Sequence, residues 1–512
     1  MVSTFDIVPD QDAGPSRVRP ETGFTPLNPA ALSAARRLAG EHVQAISPAV
    51  LAGLYRAVEG LSLAIVGAGA YYAYVWPGAS DLEFVYLAIS ATTAFVATLI
   101  FDALGLYTVP TLARFTSRTM GLLGAWTGLI SLLIILAFFT KMGAEFSRGW
   151  LAIWFIAGLI TLLVERAVMS AFVARSTRSG RLRRRAVIVG GGTRAAELIK
   201  ALEATPDSGV RICGIFDDRG DDRSPARISG FPKLGTIAEL ASFARSANID
   251  LLIVSLPYTA EERLLGILQQ LWILPVDIRL AAHLNKLRFR PRAYSYIGAV
   301  PFFDILDRPL KDWGPVLKSI EDRVLATLAL IALSPLMAIV ALAVKLESPG
   351  PVLFRQHRYG FNNELIEVFK FRSMYVEATD ATASELVTKN DPRVTRVGRF
   401  IRKTSLDELP QLLNVLAGDL SLVGPRPHAT SAKAANQLYG DVVDGYFARH
   451  RVKPGITGWA QVNGWRGETD TADKIVRRVE HDLYYIENWS VLFDLYILAI
   501  TPLSLLNTDQ AY

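Results

Sequence analysis

Between residues 54 and 172 the chain turns apolar four times, near 54–76, 84–106, 120–140 and 150–172, with polar stretches between. Each run is about 20 residues long, enough for a helix to cross a hydrocarbon core of about 30 Å. The charges around the runs are unevenly placed. Arg36, Arg37 and Arg56 stand at or before the start of the first run, Arg114 and Arg118 separate the second from the third, and "RSTRSGRLRRR" (175–185) follows the fourth. The loop holding Asp81 and Glu83 has no Lys or Arg, and the loop from Lys141 to Arg148 has little positive charge. The positive-inside rule therefore predicts four spans with both ends in the cytoplasm. Buried helices of a soluble protein would need neither that length nor that alternation of charge.

From residue 184 the period changes. "RRAVIVGGGTRAAELIKAL" reads as a buried strand, a glycine turn and a helix, "VRICGIFDD" as the next strand, and "IDLLIVSLP" and "PVDIRLA" continue the alternation. That order predicts a parallel α/β sheet. Gly190, Gly192 and Ala195 fit G-x-G-x-x-A after a strand, and Asp217 ends the second strand about 20 residues on, as in a dinucleotide fold. Such glycines let backbone N–H groups approach a phosphate. No Tyr-x-x-x-Lys pair or other hydride-transfer constellation follows. A Rossmann-like domain that is empty or regulatory is thus the better reading, with a nucleotide-sugar oxidoreductase or epimerase as the rival.

A fifth apolar run, "VLATLALIALSPLMAIVALAV" (324–344), lies between Asp322–Arg323 and Lys345–Glu347. It is long enough to span, but Ser334 and Pro335 sit in its middle, where proline removes a backbone donor and kinks a helix. If it spanned, everything after it would leave the compartment of the Rossmann-like domain. A broken, re-entrant helix keeps both on one side, with the serine hydroxyl helping to satisfy the freed carbonyl. The residues alone leave both topologies open.

Composition sharpens this picture. The 512 residues allow two or three domains, and 51% hydrophobic against 20% charged is more apolar than a soluble protein. A net charge of +6, scattered along the chain, gives no argument for nucleic acid. The single cysteine, Cys213, excludes intramolecular disulfides and Cys-based metal clusters. Residues 1–50 lack a signal peptide and, being rich in Pro, Gly, Asp and Thr near the start, read as a disordered cytoplasmic tail.

Candidate chemistry lies after the fifth run. Arginines recur singly at 355, 358, 372, 393, 396, 399, 402 and 426 in Gly/Pro-rich context, suiting fork-like contacts to phosphate oxygens. Acids are few. Asp407 and Glu408 sit side by side in "TSLDELPQLLNVLAGDLSLVGPRP" (404–427). Ser405 and Glu408 match a capping box, which would make Glu408 structural. That frame, however, puts Pro410 inside the helix. Starting the helix at Pro410 uses proline where it is tolerated and leaves both acids just outside. An ionised aspartate among arginines suits a phosphorus nucleophile or a Mg²⁺ ligand.

Residues 318–512 resemble the bacterial polyprenyl-phosphate sugar-1-phosphate transferases, the monotopic phosphoglycosyl transferases. The motifs are K-x-E-S-P-G-P-V-x-F-x-Q-x-R-x-G (345–360), F-K-F-R-S-M (369–374), S-L-D-E-L-P-Q-L-x-N-V-L (405–416), S-L-V-G-P-R-P (421–427) and K-P-G-I-T-G-W-A-Q-V-N-G (453–464). The four runs and the Rossmann-like domain extend the likeness to the long form of the family. The resemblance implies a cytoplasmic tail (1–50), a four-helix membrane region (51–175), a Rossmann-like α/β domain (184–300) and an α-rich monotopic catalytic domain (318–512) with a re-entrant helix (324–344) broken at Ser334–Pro335.

By the same likeness Asp407 and Glu408 form the catalytic dyad. Asp407 is the nucleophile and a Mg²⁺ ligand, and Arg402 and Arg426 bind phosphate, with Arg358 and Arg372 as further phosphate-binding candidates. The implied reaction moves hexose-1-phosphate from a UDP-sugar to undecaprenyl phosphate and releases UMP, at the cytoplasmic face of the bacterial inner membrane among membrane lipid, with Mg²⁺ assisting. Glucose is the expected sugar, from the ending "TPLSLLNTDQAY", with galactose or an N-acetylated sugar as alternatives. No stretch reads as a hexose pocket, and a homo-oligomer is left open.

Overall fold

The computed structural model describes residues 25–506 except 41–46, 77–79, 114, 117, 142–145, 179, 181, 205–208, 221–223, 257–260, 283–294, 298–299, 377–390, 428–432, 435–436, 439–445 and 466–471. Arg114, the first 24 residues and the ending 507–512 lie outside the described residues.

Helix α1 spans Pro29–Gly40, and the membrane region follows as α2 (Pro48–Tyr74), α3 (Glu83–Ala103), a short α4 (Val109–Leu112), α5 (Thr119–Phe139) and α6 (Arg148–Arg178). The four long helices lie on the four apolar runs, each shifted by a few residues. Among apolar surroundings a buried indole N–H needs a partner. Trp154 donates to the Leu63 carbonyl at 3.0 Å, Trp150 to that of Gly67 at 2.9 Å and Trp126 to that of Phe155 at 3.1 Å. Gly67 permits this approach, because a Cβ there would lie 2.6 Å from Ser90 Oγ and 2.7 Å from Trp154. Phe84, Met120, Phe138 and Phe139 point outward, as lipid-facing residues do.

The Rossmann-like domain contains β1 (Arg184–Val189), α7 (Thr193–Glu203), β2 (Val210–Phe216), β3 (Arg227–Ile228), β4 (Phe231–Gly235), α8 (Ile237–Ser246), β5 (Leu251–Val254), α9 (Glu261–Leu271), β6 (Asp277–Ala281), β7 (Ser295–Ile297) and β8 (Val300–Leu306). Its sheet runs β3-β4-β2-β1-β5-β6-β8-β7, parallel from β4 to β6 and antiparallel at both edges. The central strands read as continuous apolar runs because helices cover both faces.

Part of that cover corrects the expectation of a disordered tail for residues 25–40 of the segment 1–50, the first 24 residues lying outside the described ones. Helix α1 buries Ala31, Ala35 and Leu38 in one core with Leu240 and Phe243 of α8. Asn28, just before it, bonds the Glu239 carboxylate and the Leu234 carbonyl. An Ala- and Leu-bearing face at helical spacing outweighs the Pro- and Gly-rich composition of the segment before it.

Helix α10 runs from Gly314 to Glu347 as one helix with Pro335 inside it. The expected break at Ser334–Pro335 is therefore not an interruption of the helix. Proline frees the carbonyl four residues back, that of Ile331, and the Ser334 hydroxyl donates to it at 2.9 Å. Both halves of α10 pack on the domain C-terminal to it. Ala326, Leu330 and Leu333 share a core with Leu412 and Val415, while Val340 and Val344 share another with Phe371 and Ile401. The opposite face, through Val324, Leu328, Ile331, Ile339, Leu342 and Leu346, is exposed apolar surface.

Candidate active site

A hairpin of β9 (Leu353–Tyr359) and β10 (Leu365–Phe371) forms one wall of the site. Helix α11 (Arg396–Lys403) follows, then a 3-10 turn, Leu406–Glu408, carrying the two acids, then α12 (Gln411–Ala417). Pro410 stands immediately before α12, one residue from the predicted start, so both acids do lie outside the helix. Asn414 of α12, fully buried, fastens this unit to the hairpin. Its amide donates to the Glu367 carbonyl at 2.7 Å and its oxygen accepts from the Phe369 N–H at 2.9 Å.

The capping-box reading of Glu408 fails on geometry. Ser405 sits at φ 58° and its side chain makes no capping bond. The Glu408 carboxylate instead accepts from both terminal nitrogens of Arg426, at 3.1 and 2.5 Å, and from Lys370 Nζ of β10 at 2.9 Å. Burial alone would raise the Glu408 carboxyl, but Arg426 and Lys370 hold it well below the usual carboxylate range.

Asp407 is 8% exposed, and among the described residues no hydrogen bond or ion pair ends on its carboxylate. Burial raises its affinity for a proton; Lys370, Arg402 and Arg426 pull it back, and Glu408 adds to the rise. The two neighbours thus differ. Glu408 is a bound anion, whereas Asp407 is buried, uncommitted and surrounded by cations.

Arg426 follows β11 (Ser421–Val423), which pairs with the strand Gly455–Thr457. Gly424 allows the close pass, since a Cβ there would meet the Lys453 carbonyl oxygen at 2.5 Å. Arg358 of β9 bonds the Pro427 carbonyl and the Gln356 side chain; burial, helped by nearby Arg426, pushes its guanidinium down to about 10. Arg402 of α11 is held by Ser373 Oγ at 2.7 Å and lies within electrostatic reach of Asp407.

Of the candidates from sequence, the structure brings Asp407, Glu408, Arg358, Arg402 and Arg426 together. It gives Arg372 another task. That guanidinium donates to the Ser348 carbonyl at 2.7 Å, to Pro349 and to Val344, holding the C-terminal end of α10. Lys370 is the residue sequence reasoning passed over. Its signal was a lysine between two phenylalanines in a strand whose only other charged residue is Glu367.

In the Rossmann-like domain the glycine turn is bonded internally. The Gly191 N–H donates to the fully buried Asp217 at 2.8 Å, and Arg219 joins Asp217 to the Gly191 carbonyl. The Gly191 N–H, one of the donors a phosphate could take, thus goes to the protein's own carboxylate.

Residues 313–508 match the family model "Bacterial sugar transferase", and residues 102–282 match "CoA-binding domain". The chain is 36% identical to a UDP-glucose:undecaprenyl-phosphate glucose-1-phosphate transferase of Xanthomonas campestris pv. campestris, over 83% of this chain and 88% of that protein. It is 40% identical to a protein of the same name from Escherichia coli K12, over 69% and 74% respectively. It is also 32% identical to an undecaprenyl-phosphate galactose phosphotransferase of Salmonella typhimurium, over 73% and 78%.

Proposed function

Because the chain belongs to the bacterial sugar transferase family, we propose that it transfers glucose-1-phosphate from UDP-glucose to undecaprenyl phosphate, releasing UMP, at the cytoplasmic face of the bacterial inner membrane. The observation that carries this reading is the division of labour between adjacent acids. Arg426 and Lys370 engage Glu408, while Asp407 keeps its oxygens for a phosphorus atom.

In the first step an Asp407 oxygen attacks the β-phosphorus of the donor. The bond from that phosphorus to the bridging oxygen breaks, and UMP leaves with the electron pair. The sugar phosphate is then held on Asp407 as an acyl phosphate. In the second step a phosphate oxygen of the acceptor attacks the same phosphorus and frees the Asp407 carboxylate. Arg358, Arg402 and Arg426 supply charge and N–H donors to the phosphate oxygens. One site can in this way serve a soluble donor and a lipid acceptor in turn.

The residues fit Mg²⁺ in a limited sense. Among the described residues no cluster of three or more side-chain ligands occurs. Asp407 offers a carboxylate with no partner among the described residues, which suits an ion bound by one acid, substrate phosphates and water. Mg²⁺ so held would neutralise the charge that develops on the leaving UMP.

The family reading also carries the re-entrant topology. A spanning α10 would separate the domain before it from the domain after it. Yet Arg451 donates to the Asp307 carbonyl at 2.8 Å, and Arg245 of α8 meets Asn363 of the β9–β10 turn. These contacts support a helix that enters and leaves on one face, its exposed apolar side in lipid.

The test is the purified full chain with undecaprenyl phosphate and UDP-glucose, UDP-galactose or UDP-N-acetylglucosamine, scored by UMP release. UDP-glucose should give the highest kcat/KM. Release from none of them would overturn the reading, and a preference for another donor would reassign the sugar.

A further inference from the structure

The backbone around Arg426 is held at three successive carbonyls. Pro425 accepts from the Gly455 N–H at 3.0 Å, Arg426 from the Arg449 guanidinium at 3.0 Å, and Pro427 from Arg358. Arg449 is fully buried and lies on the short 3-10 helix Tyr446–Arg451. It also bonds Asp482, of the helix Ala472–Glu487, and the Tyr446 hydroxyl at 3.3 Å, and stacks 5.3 Å from the Tyr446 ring centre. A guanidinium that is fixed on one side by a buried carboxylate and aimed on the other at a backbone carbonyl sets where the next side chain can go.

The same short helix meets the Rossmann-like domain. His450, beside Arg449, is buried against Asn363; with the Asn363 amide oriented to suit both neighbours, its nitrogen donates to Nδ1 of His450 and its oxygen accepts from both terminal nitrogens of Arg245 at 3.1 and 3.0 Å. Asn363 reaches between the two from a turn at φ 59°. One residue further, Arg451 bonds Asp307 in the segment leaving the Rossmann-like domain. Three consecutive residues thus hold the active-site turn, the hairpin turn and the other domain.

We propose that Arg449 is a positioning residue for Arg426, and that docking of the Rossmann-like domain through Arg245, Asn363 and His450 sets the short helix from which Arg449 acts. This rests on the assignment of Arg426 to the transferase site. The domain with the self-bonded glycine turn is then a scaffold for catalysis, and loosening its contact lowers turnover without touching substrate.

The test uses the full-length protein. Arg449→Lys keeps a cation for Asp482 but loses the planar fork, and Arg245→Ala lies outside the transferase domain. Each should lower kcat about tenfold, with the donor KM changed far less, since small misplacements of a catalytic group act on the chemical step. The double variant should be no slower than the slower single one, because both act through one helix. Parental kcat in Arg245→Ala, additive losses, or a loss that only tracks the folded fraction would each overturn the proposal.

Hydrogen–deuterium exchange gives a readout independent of turnover. Arg245→Ala should speed exchange over residues 446–457 and leave α2 to α6 unchanged; unchanged exchange over 446–457 overturns the proposal. If the parent releases no UMP with any donor, the functional reading fails, and exchange alone decides the coupling.

Discussion

Arg426 grips Glu408 with both terminal nitrogens, and the residue before Glu408 receives no such grip. An end-on, two-bonded pair of this kind fixes the carboxylate plane as well as its charge. It also means that two adjacent acids, alike in sequence, respond in opposite ways to mutation and to pH.

Asp407→Asn removes the nucleophile's charge with little change in volume. Turnover should fall on the order of 10⁴-fold or more, as when a nucleophile is removed elsewhere. Because burial raises the Asp407 carboxyl, its ionised form costs the fold stability at neutral pH. The amide avoids that cost, so Tm should hold or rise. An active variant would sink the mechanism, and a lower Tm would refute the electrostatic account.

Glu408→Gln leaves Arg426 and Lys370 with a neutral partner. Breaking a largely buried pair costs about 3 kcal/mol, so both turnover and Tm should drop. The folded-state carboxyl is depressed. Its contribution is therefore present above the unfolded value of about 4.3 and is lost as pH falls through the folded one. The Tm gap between parent and variant should be full at pH 7 and close only under acid conditions. A gap that already closes near neutrality would contradict the ion-pair assignment.

The pH profile of kcat/KM should fall on the acid side with an apparent pKa above the ordinary aspartate value of about 3.9, because Asp407 must be ionised to attack. Steady-state UMP release across pH measures it. An acid limb at or below that ordinary value would remove Asp407 as the titrating group.

Arg426→Lys keeps the charge and loses the fork. Activity should fall about tenfold or more, equivalent to about 1.4 kcal/mol of transition-state binding, with Tm lowered by loss of one of the two bonds to Glu408. Parental kcat in this variant would reduce Arg426 to a diffuse charge.

In a Cys213→Ser background, Lys311→Cys and Glu364→Cys flank α10 at exposed positions. Both should react from the cytoplasmic side only. In Pro335→Leu the restored backbone bond should let a spanning form compete, giving mixed labelling at position 364. Opposite-side labelling in the parent would refute the re-entrant helix.

Much of this architecture was legible because membrane spans and buried parallel strands write long, uniform patterns. The four spans and the central strands were readable from such runs, and the placement of Asp407 and Glu408 outside α12 from Pro410. The features that escaped depend on partners distant in sequence. Arg372 and Arg358 look alike as single arginines, yet one meets the carbonyls ending α10 and the other faces the acids. Lys370 looked incidental until β10 placed it against Glu408. Helix α1 was hidden because its partner, α8, lies some 200 residues away, and its short apolar face was masked by the Pro- and Gly-rich composition before it. Asp217, which a dinucleotide fold would aim at a ribose, turns back onto its own glycine loop.

The separation of α1 from α8 also has a cost in time. Asn28 and Glu239 are 211 positions apart, so α1 leaves the ribosome long before its binding face exists. At about 5–20 residues per second the wait lasts roughly 10–40 s, while four spans are threaded into the membrane. During that interval Ala31, Ala35 and Leu38 have no protein cover, and Arg36 and Arg37 stand on the same short helix. A basic amphipathic helix in that position is suited to rest on the anionic surface of the bilayer until α8 is made. The membrane would then act as a temporary partner for the start of the chain.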